Sequence, residues 1–124
     1  MGDPSSGGSV RVNTLLKDPY STTETVTGGV WIDGKAIYRK VVALSTKPNL
    51  SQVNNAHGIT GIASKIKIWA HFNDGAYFNS FDSSQNTSAG EESVFFEDTN
   101  VAWNSGFNRT AVTDAYAILE YTKT

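Results

Sequence analysis

The chain has 124 residues, a formal charge of −2 and no cysteine. A chain of this length is one domain and hides roughly two-thirds of the surface its unfolded form exposes, so a single core suffices without disulfide or metal. Zero Cys removes thiolate chemistry and Cys-based zinc sites. Ten scattered Lys and Arg residues against twelve acids present no basic face to nucleic acid, and no apolar run approaches the ~20 residues that insert across a bilayer.

Residues 1–9 are rich in Gly and Ser and lack the apolar stretch of a secretory signal. They read as a flexible linker or a vector-derived start ahead of a single domain, 10–124, and suggest that the chain was cut from something longer. Short runs of Thr, Val, Ile and aromatic residues, punctuated by Gly, Asn, Asp and Ser, predict β structure throughout. Val10 to Leu16 is expected as a first strand, broken by Asp18-Pro19, since proline removes a donor and restrains its predecessor. Tyr20 to Glu24 is expected as a short connection.

Val30-Trp31-Ile32, Asp33-Gly34 and Lys35 to Val42 spell a hairpin. Asp-Gly suits a two-residue type I′ turn, which needs positive φ at both central positions. That register sets Ile32 opposite Lys35, Trp31 opposite Ala36 and Val30 opposite Ile37. Trp31, Tyr38 and Val42 then share one face, and Ile37 and Val41 the other. Residues 45–56 are polar and read as a loop with at most a short strand. His57 to Ile62 re-enters the core.

Lys65 to Phe72 alternates strictly. Ile66, Ile68, Ala70 and Phe72 point one way; Lys65, Lys67, Trp69 and His71 point the other. Asn73-Asp74-Gly75 turns the chain, and Ala76 to Phe81 returns. With Asp74-Gly75 as the loop, His71 faces Phe78 and Trp69 faces Ser80. Asp82 to Glu92 is a long polar loop and Ser93 to Glu97 a short strand. Asp98 to Arg109 reads mostly as loop, and Thr113 to Thr122 closes the chain as a long strand. Strands at this spacing predict an all-β antiparallel sandwich, jelly-roll-like.

The chemical signals are sparse. Two histidines, His57 and His71, stand outside any zinc, nucleophile-elbow or phosphate-loop motif. Asp74, Asp82, Glu91, Glu92, Glu97 and Asp98 fall mostly in predicted turns, where carboxylates serve the local backbone. The 82–92 stretch lacks the ligand spacing of a calcium loop. Asn-x-Ser/Thr triplets at Asn49, Asn86 and Asn108 are of a kind common by chance. No catalytic residue, metal or cofactor is therefore expected.

The aromatics carry more. Trp69 and His71 lie on the face opposite the apolar one, where a flat indole can stack on a sugar ring; packing in an interface or second core layer is the alternative. Trp103 lies in an Asn/Ser/Gly-rich stretch with Asn104, Asn108 and Arg109, a composition suited to adaptable binding loops. Trp69, His71, Trp103, Asn104, Asn108 and Arg109 are thus the candidate ligand contacts.

From Tyr20 to Lys40 the chain reads YSTTETVTGGVWIDGKAIYRK. This resembles a recurrent module of phage and prophage tail and fibre proteins, in which a YST-x-E stretch precedes a WIDGK-x-IYRK hairpin. His57-Gly58-Ile59 and the closing Leu119-Glu120-Tyr121-Thr122-Lys123-Thr124 resemble two further pieces, so the likeness spans about residues 20–124. It implies the C-terminal domain of a structural virion protein, receptor-binding and homotrimeric, acting outside the cell and supplying no catalytic residues. The expected partners are other copies of the chain, the rest of the fibre and a bacterial surface glycan bound through loops 73–75, 82–92 and 99–109. Nucleic acid and membrane insertion are not expected. The alternatives are a purely structural module that caps and trimerises a fibre or decorates a capsid, and a carbohydrate-binding appendage of a glycan hydrolase.

Overall fold

A computed structural model describes residues 20–124 apart from 74, 76, 77 and 83–91. The expected strand at Val10 to Leu16 and most of the 82–92 loop lie outside the described residues. The chain forms β1 (Thr25–Val30), β2 (Ala36–Ala43), β3 (Gln52–Ala56), β4 (Ile62–Asn73), β5 (Phe78–Asp82), β6 (Glu92–Phe96), β7 (Asn100–Ser105) and β8 (Asp114–Lys123). Every pairing is antiparallel. One sheet runs β1-β2-β8-β4-β5, the other β3-β7-β6. Among the described residues no helix is long and apolar enough to cross a membrane.

The two sheets share one core, the layout of a β-sandwich. Ile68, Ala70 and Phe72 of β4, Ala115, Ala117, Leu119 and Tyr121 of β8, and Val42 and Leu44 at β2 supply one wall. Val94, Val101 and Trp103 supply the other. Rings meet across the gap: Phe72 and Trp103 have centroids 5.6 Å apart, and Phe96 stands edge-on to Tyr121 at 6.0 Å. Such offset and edge-to-face contacts suit the ring quadrupole.

The alternation expected for β4 is present, with one interruption. Its register against β8 shifts between Lys65 and Lys67. Ile66 sits at that bulge, half-buried and outside the core cluster. From Lys67 onward the expected faces hold.

The first hairpin is not a type I′ turn. Trp31 C=O accepts from Gly34 N–H at 2.9 Å, and Trp31 N–H donates to Lys35 C=O at 2.8 Å. Gly34 has φ 85 and Asp33 is not among the positive-φ residues. This is a three-residue loop, a turn followed by a left-handed glycine that makes a one-residue bulge. Asp33 Oδ1 accepts from Lys35 N–H at 3.0 Å, which favours the turn without positive φ at Asp33. Val30 therefore pairs with Ala36, and Trp31 leaves the strand. Tyr38 and Val42 still face the core while Ile37 and Val41 face outward.

The second hairpin also carries a longer loop than Asp74-Gly75 alone. Asn73 pairs with Phe78, His71 with Ser80 and Trp69 with Asp82. The expected register slips by two residues, which preserves the faces. β3 is the short strand that the 45–56 reading allowed, whereas β7 occupies Asn100–Ser105 within a stretch expected mostly as loop.

Candidate functional site

The structure separates the six candidate contacts. Trp69 and His71 stand together on the outer face of the five-stranded sheet. Trp103 is 0% exposed, on β7 in the core. Its expected place on a binding loop is corrected: an indole among Phe72, Phe81 and Val94 offers no surface to a ligand. Asn104, next along β7, points to the outer face of the three-stranded sheet, away from Trp69. Asn108 makes a turn, its Oδ1 accepting from Thr110 N–H at 3.0 Å and Thr110 Oγ1 at 2.7 Å.

Arg109 belongs with Trp103. Its Nε and Nη2 donate to Glu92 Oε2 at 3.0 and 2.6 Å, while Trp103 Nε1 donates to Oε1 at 2.9 Å and Ser105 Oγ to Oε2 at 2.7 Å. The guanidinium also lies over Phe72, 4.7 Å from the centroid, and at the same distance from Phe107. Glu92 is thus the acceptor that lets a Trp N–H and an Arg enter the sandwich edge. This cluster holds structure together, and its carboxylate is fully occupied.

Around Trp69 the arrangement is open. The register lays Val41, Ile118 and Trp69 in one cross-strand row, and Tyr116 beside His71 in the next. β8 directs Ala115, Ala117, Leu119 and Tyr121 inward, so Tyr116 and Ile118 are left facing out. The connection 20–24 crosses this face. Ser21 C=O accepts from Val41 N–H at 2.9 Å, which ties the connection to the sheet. Tyr20 meets Trp69 edge-on, with centroids 6.3 Å apart at 81°. Arg39 lies 4.4 Å over the Tyr20 ring and pairs with Glu120 below it.

These residues border an open groove of about 510 Å³, lined by Tyr20, Ser21, Thr22, Val41, Trp69, His71, Tyr116 and Ile118. The size lies within the ~300–1,000 Å³ usual for small-ligand pockets. Its walls are mostly apolar, with hydroxyls and an imidazole at the margins. Sequence reasoning found Trp69 and His71 here but missed Tyr20, Tyr116 and Ile118. The readable signal was β8, whose alternation leaves a tyrosine and an isoleucine on the face away from the core.

The other histidine is structural. His57 Nε2 lies 2.8 Å from Glu97 C=O, and Nδ1 accepts from Ile59 N–H at 3.0 Å. Among the described residues no group of three or more His, Cys, Asp or Glu could hold a metal. No family model, curated protein or solved structure matches the chain.

Proposed function

We propose that this chain is a non-catalytic attachment module of a phage tail or fibre, and that its outer-face pocket receives a saccharide of the bacterial surface. The observation that carries the reading is the pocket around Trp69. A pyranose has an apolar C–H face and a rim of hydroxyls. Trp69, Tyr20 and Tyr116 suit the first; Ser21, Thr22, His71 and the tyrosine hydroxyls suit the second. The loops at 73–75 and 99–109 are not the contact surface in this reading. Binding occurs on a sheet face, where a rigid scaffold fixes the rings.

The virion setting rests on the resemblance across residues 20–124. The nested pairings of β2 with β8 and β3 with β7 fit a jelly-roll-like wrapping. A homotrimer would present three weak sites on one particle, and their avidity would exceed any single affinity.

A different feature favours the structural reading. Among the described residues β1 is an edge strand, without Lys or Pro, and Val26, Val30 and the turn residue Ile32 are exposed, Ile32 by 92%. The edge is irregular between Val26 and Val30, so the contact it offers is the side chains of these apolar residues rather than a continued backbone ladder, and a subunit contact there suits a module that caps or joins a fibre.

Binding of wild-type protein and Trp69→Ala to host cells and a bacterial glycan array, with oligomeric state by light scattering, tests the proposal. Wild type should bind, and the variant should remain folded and lose on the order of tenfold in affinity or more, as for an aromatic anchor. An intact oligomer that binds no cell or polysaccharide would sink the attachment role and leave the structural one.

A further inference from the structure

We infer that the saccharide is acidic, with its carboxylate or phosphate turned toward Lys67; this rests on the pocket reading above. Across β2, β8 and β4 the outer face around Trp69 carries three cross-strand rows. Arg39, Glu120 and Lys67 form one, Val41, Ile118 and Trp69 the next, and Ala43, Tyr116 and His71 the third. The middle row is an apolar floor and the third brings two rings together, His71 and Tyr116 at 5.8 Å. The first row is charged, with two cations and one carboxylate.

That carboxylate is already held. Arg39 Nε and Nη2 both donate to Glu120 Oε2, at 3.0 and 2.5 Å. A guanidinium fork suits a carboxylate better than an ammonium does. Lys67 is exposed, and among the described residues it forms no ion pair. Its Nζ rests 4.7 Å from the centroid of the Trp69 ring. A full positive charge is thus kept beside the wall on which a sugar ring would stack. A neutral sugar leaves the ammonium with the indole alone. An anionic substituent on a ring stacked at Trp69 gains a charge-assisted hydrogen bond, the stronger kind. His71 and Tyr116, at the far end of the floor, are placed for hydroxyls.

The test follows the indole Nε1–H signals of 15N-labelled protein in titrations with glucuronic acid, glucose 1-phosphate, glucose and inorganic phosphate, repeated with Lys67→Gln. One or both acidic sugars should shift the Trp69 signal at lower concentration than glucose, and added salt should weaken them. The better of the two identifies a carboxylate or a phosphate ester as the recognised group. Lys67→Gln should weaken the acidic sugars by about fivefold, the upper end for an exposed ion pair, and leave glucose unchanged. Glucose binding as well as the acids, with Lys67→Gln silent, would overturn the acidic assignment while keeping the saccharide site. Inorganic phosphate matching glucose 1-phosphate would overturn it too, by showing that charge alone binds. Absence of any Trp69 shift would overturn both readings.

Discussion

Glu92→Ala removes one carboxylate and strands three donors, the Trp103 indole, the Ser105 hydroxyl and the Arg109 guanidinium. Trp103 is 0% exposed, so its N–H has no route to water. An orphaned buried donor costs about 1–3 kcal/mol. Breaking a fully buried ion pair costs about 3–5 kcal/mol. Here the Arg109 and Glu92 side chains keep 18% and 14% exposure, and water reaching them removes about half of that cost. The sum is about 3–5 kcal/mol. With a urea slope of about 1.5 kcal/mol/M, the unfolding midpoint should fall by about 2–3 M. Glu92→Gln keeps an acceptor but loses the charge, and should fall about half as far. Urea titration followed by Trp fluorescence measures both. A Glu92→Ala midpoint within about 0.5 M of wild type would refute the claim that this carboxylate satisfies the core indole. Pocket binding should be unaffected in any folded fraction, because the cluster lies on the opposite side of the sheet from Trp69.

Gly34→Val should lower the melting temperature by about 5–10 °C. The site has open space around an added Cβ, so the penalty is wholly that of a β-branched residue at φ 85, about 1–2 kcal/mol; an unchanged melting curve would contradict the left-handed glycine. Glu24 gives an acid limit. Burial raises its pKa, but hydrogen bonds from Tyr121 and Lys123 and the charges of Lys123 and Lys40 outweigh that and hold it below 4.5. Its contribution is therefore present above the ordinary carboxylate value and lost as pH falls through the lowered one. Tyr121 runs the other way. Burial, then its bond to Glu24, raises the phenol above its ordinary 10.0, so stability is intact below that value and lost as pH rises beyond it. Tyr121→Phe should cost about 1 kcal/mol near neutrality and flatten the urea midpoint between about pH 9 and 11; a variant as alkali-sensitive as wild type would count against the buried Tyr121 phenol as the group that titrates.

What could be read from the sequence followed how local the deciding physics was. β4 was legible because strict alternation over eight residues specifies both strand and face, and that alone placed Trp69 and His71 outside the core. The hairpin existed where Asp33-Gly34 said it would, yet its loop type was not legible. Asp-Gly serves a two-residue turn and a three-residue turn with a bulge, and only the partner strand selects between them. β7 was hidden by its polar residues. Asn100, Asn104 and Ser105 suggest a loop until Glu92 is known to stand beside Ser105 and receive the indole of Trp103, a contact made across strands. β3 was obscured likewise: its buried Asn55 spends its side-chain amide on the Thr46 backbone, accepting from N–H at 2.8 Å and donating to C=O at 3.0 Å. The pocket needed three strands and the 20–24 connection at once, and no single segment announces it.

The most direct test of the account is the position of the ligand itself. Purified host surface polysaccharide, titrated into protein with 15N-labelled tryptophan indoles, should move the Trp69 signal, leave that of Trp103 in place, and have no effect on Trp69→Ala beyond the missing peak. Binding to the protein with an unmoved Trp69 signal would contradict the outer-face pocket as the binding site.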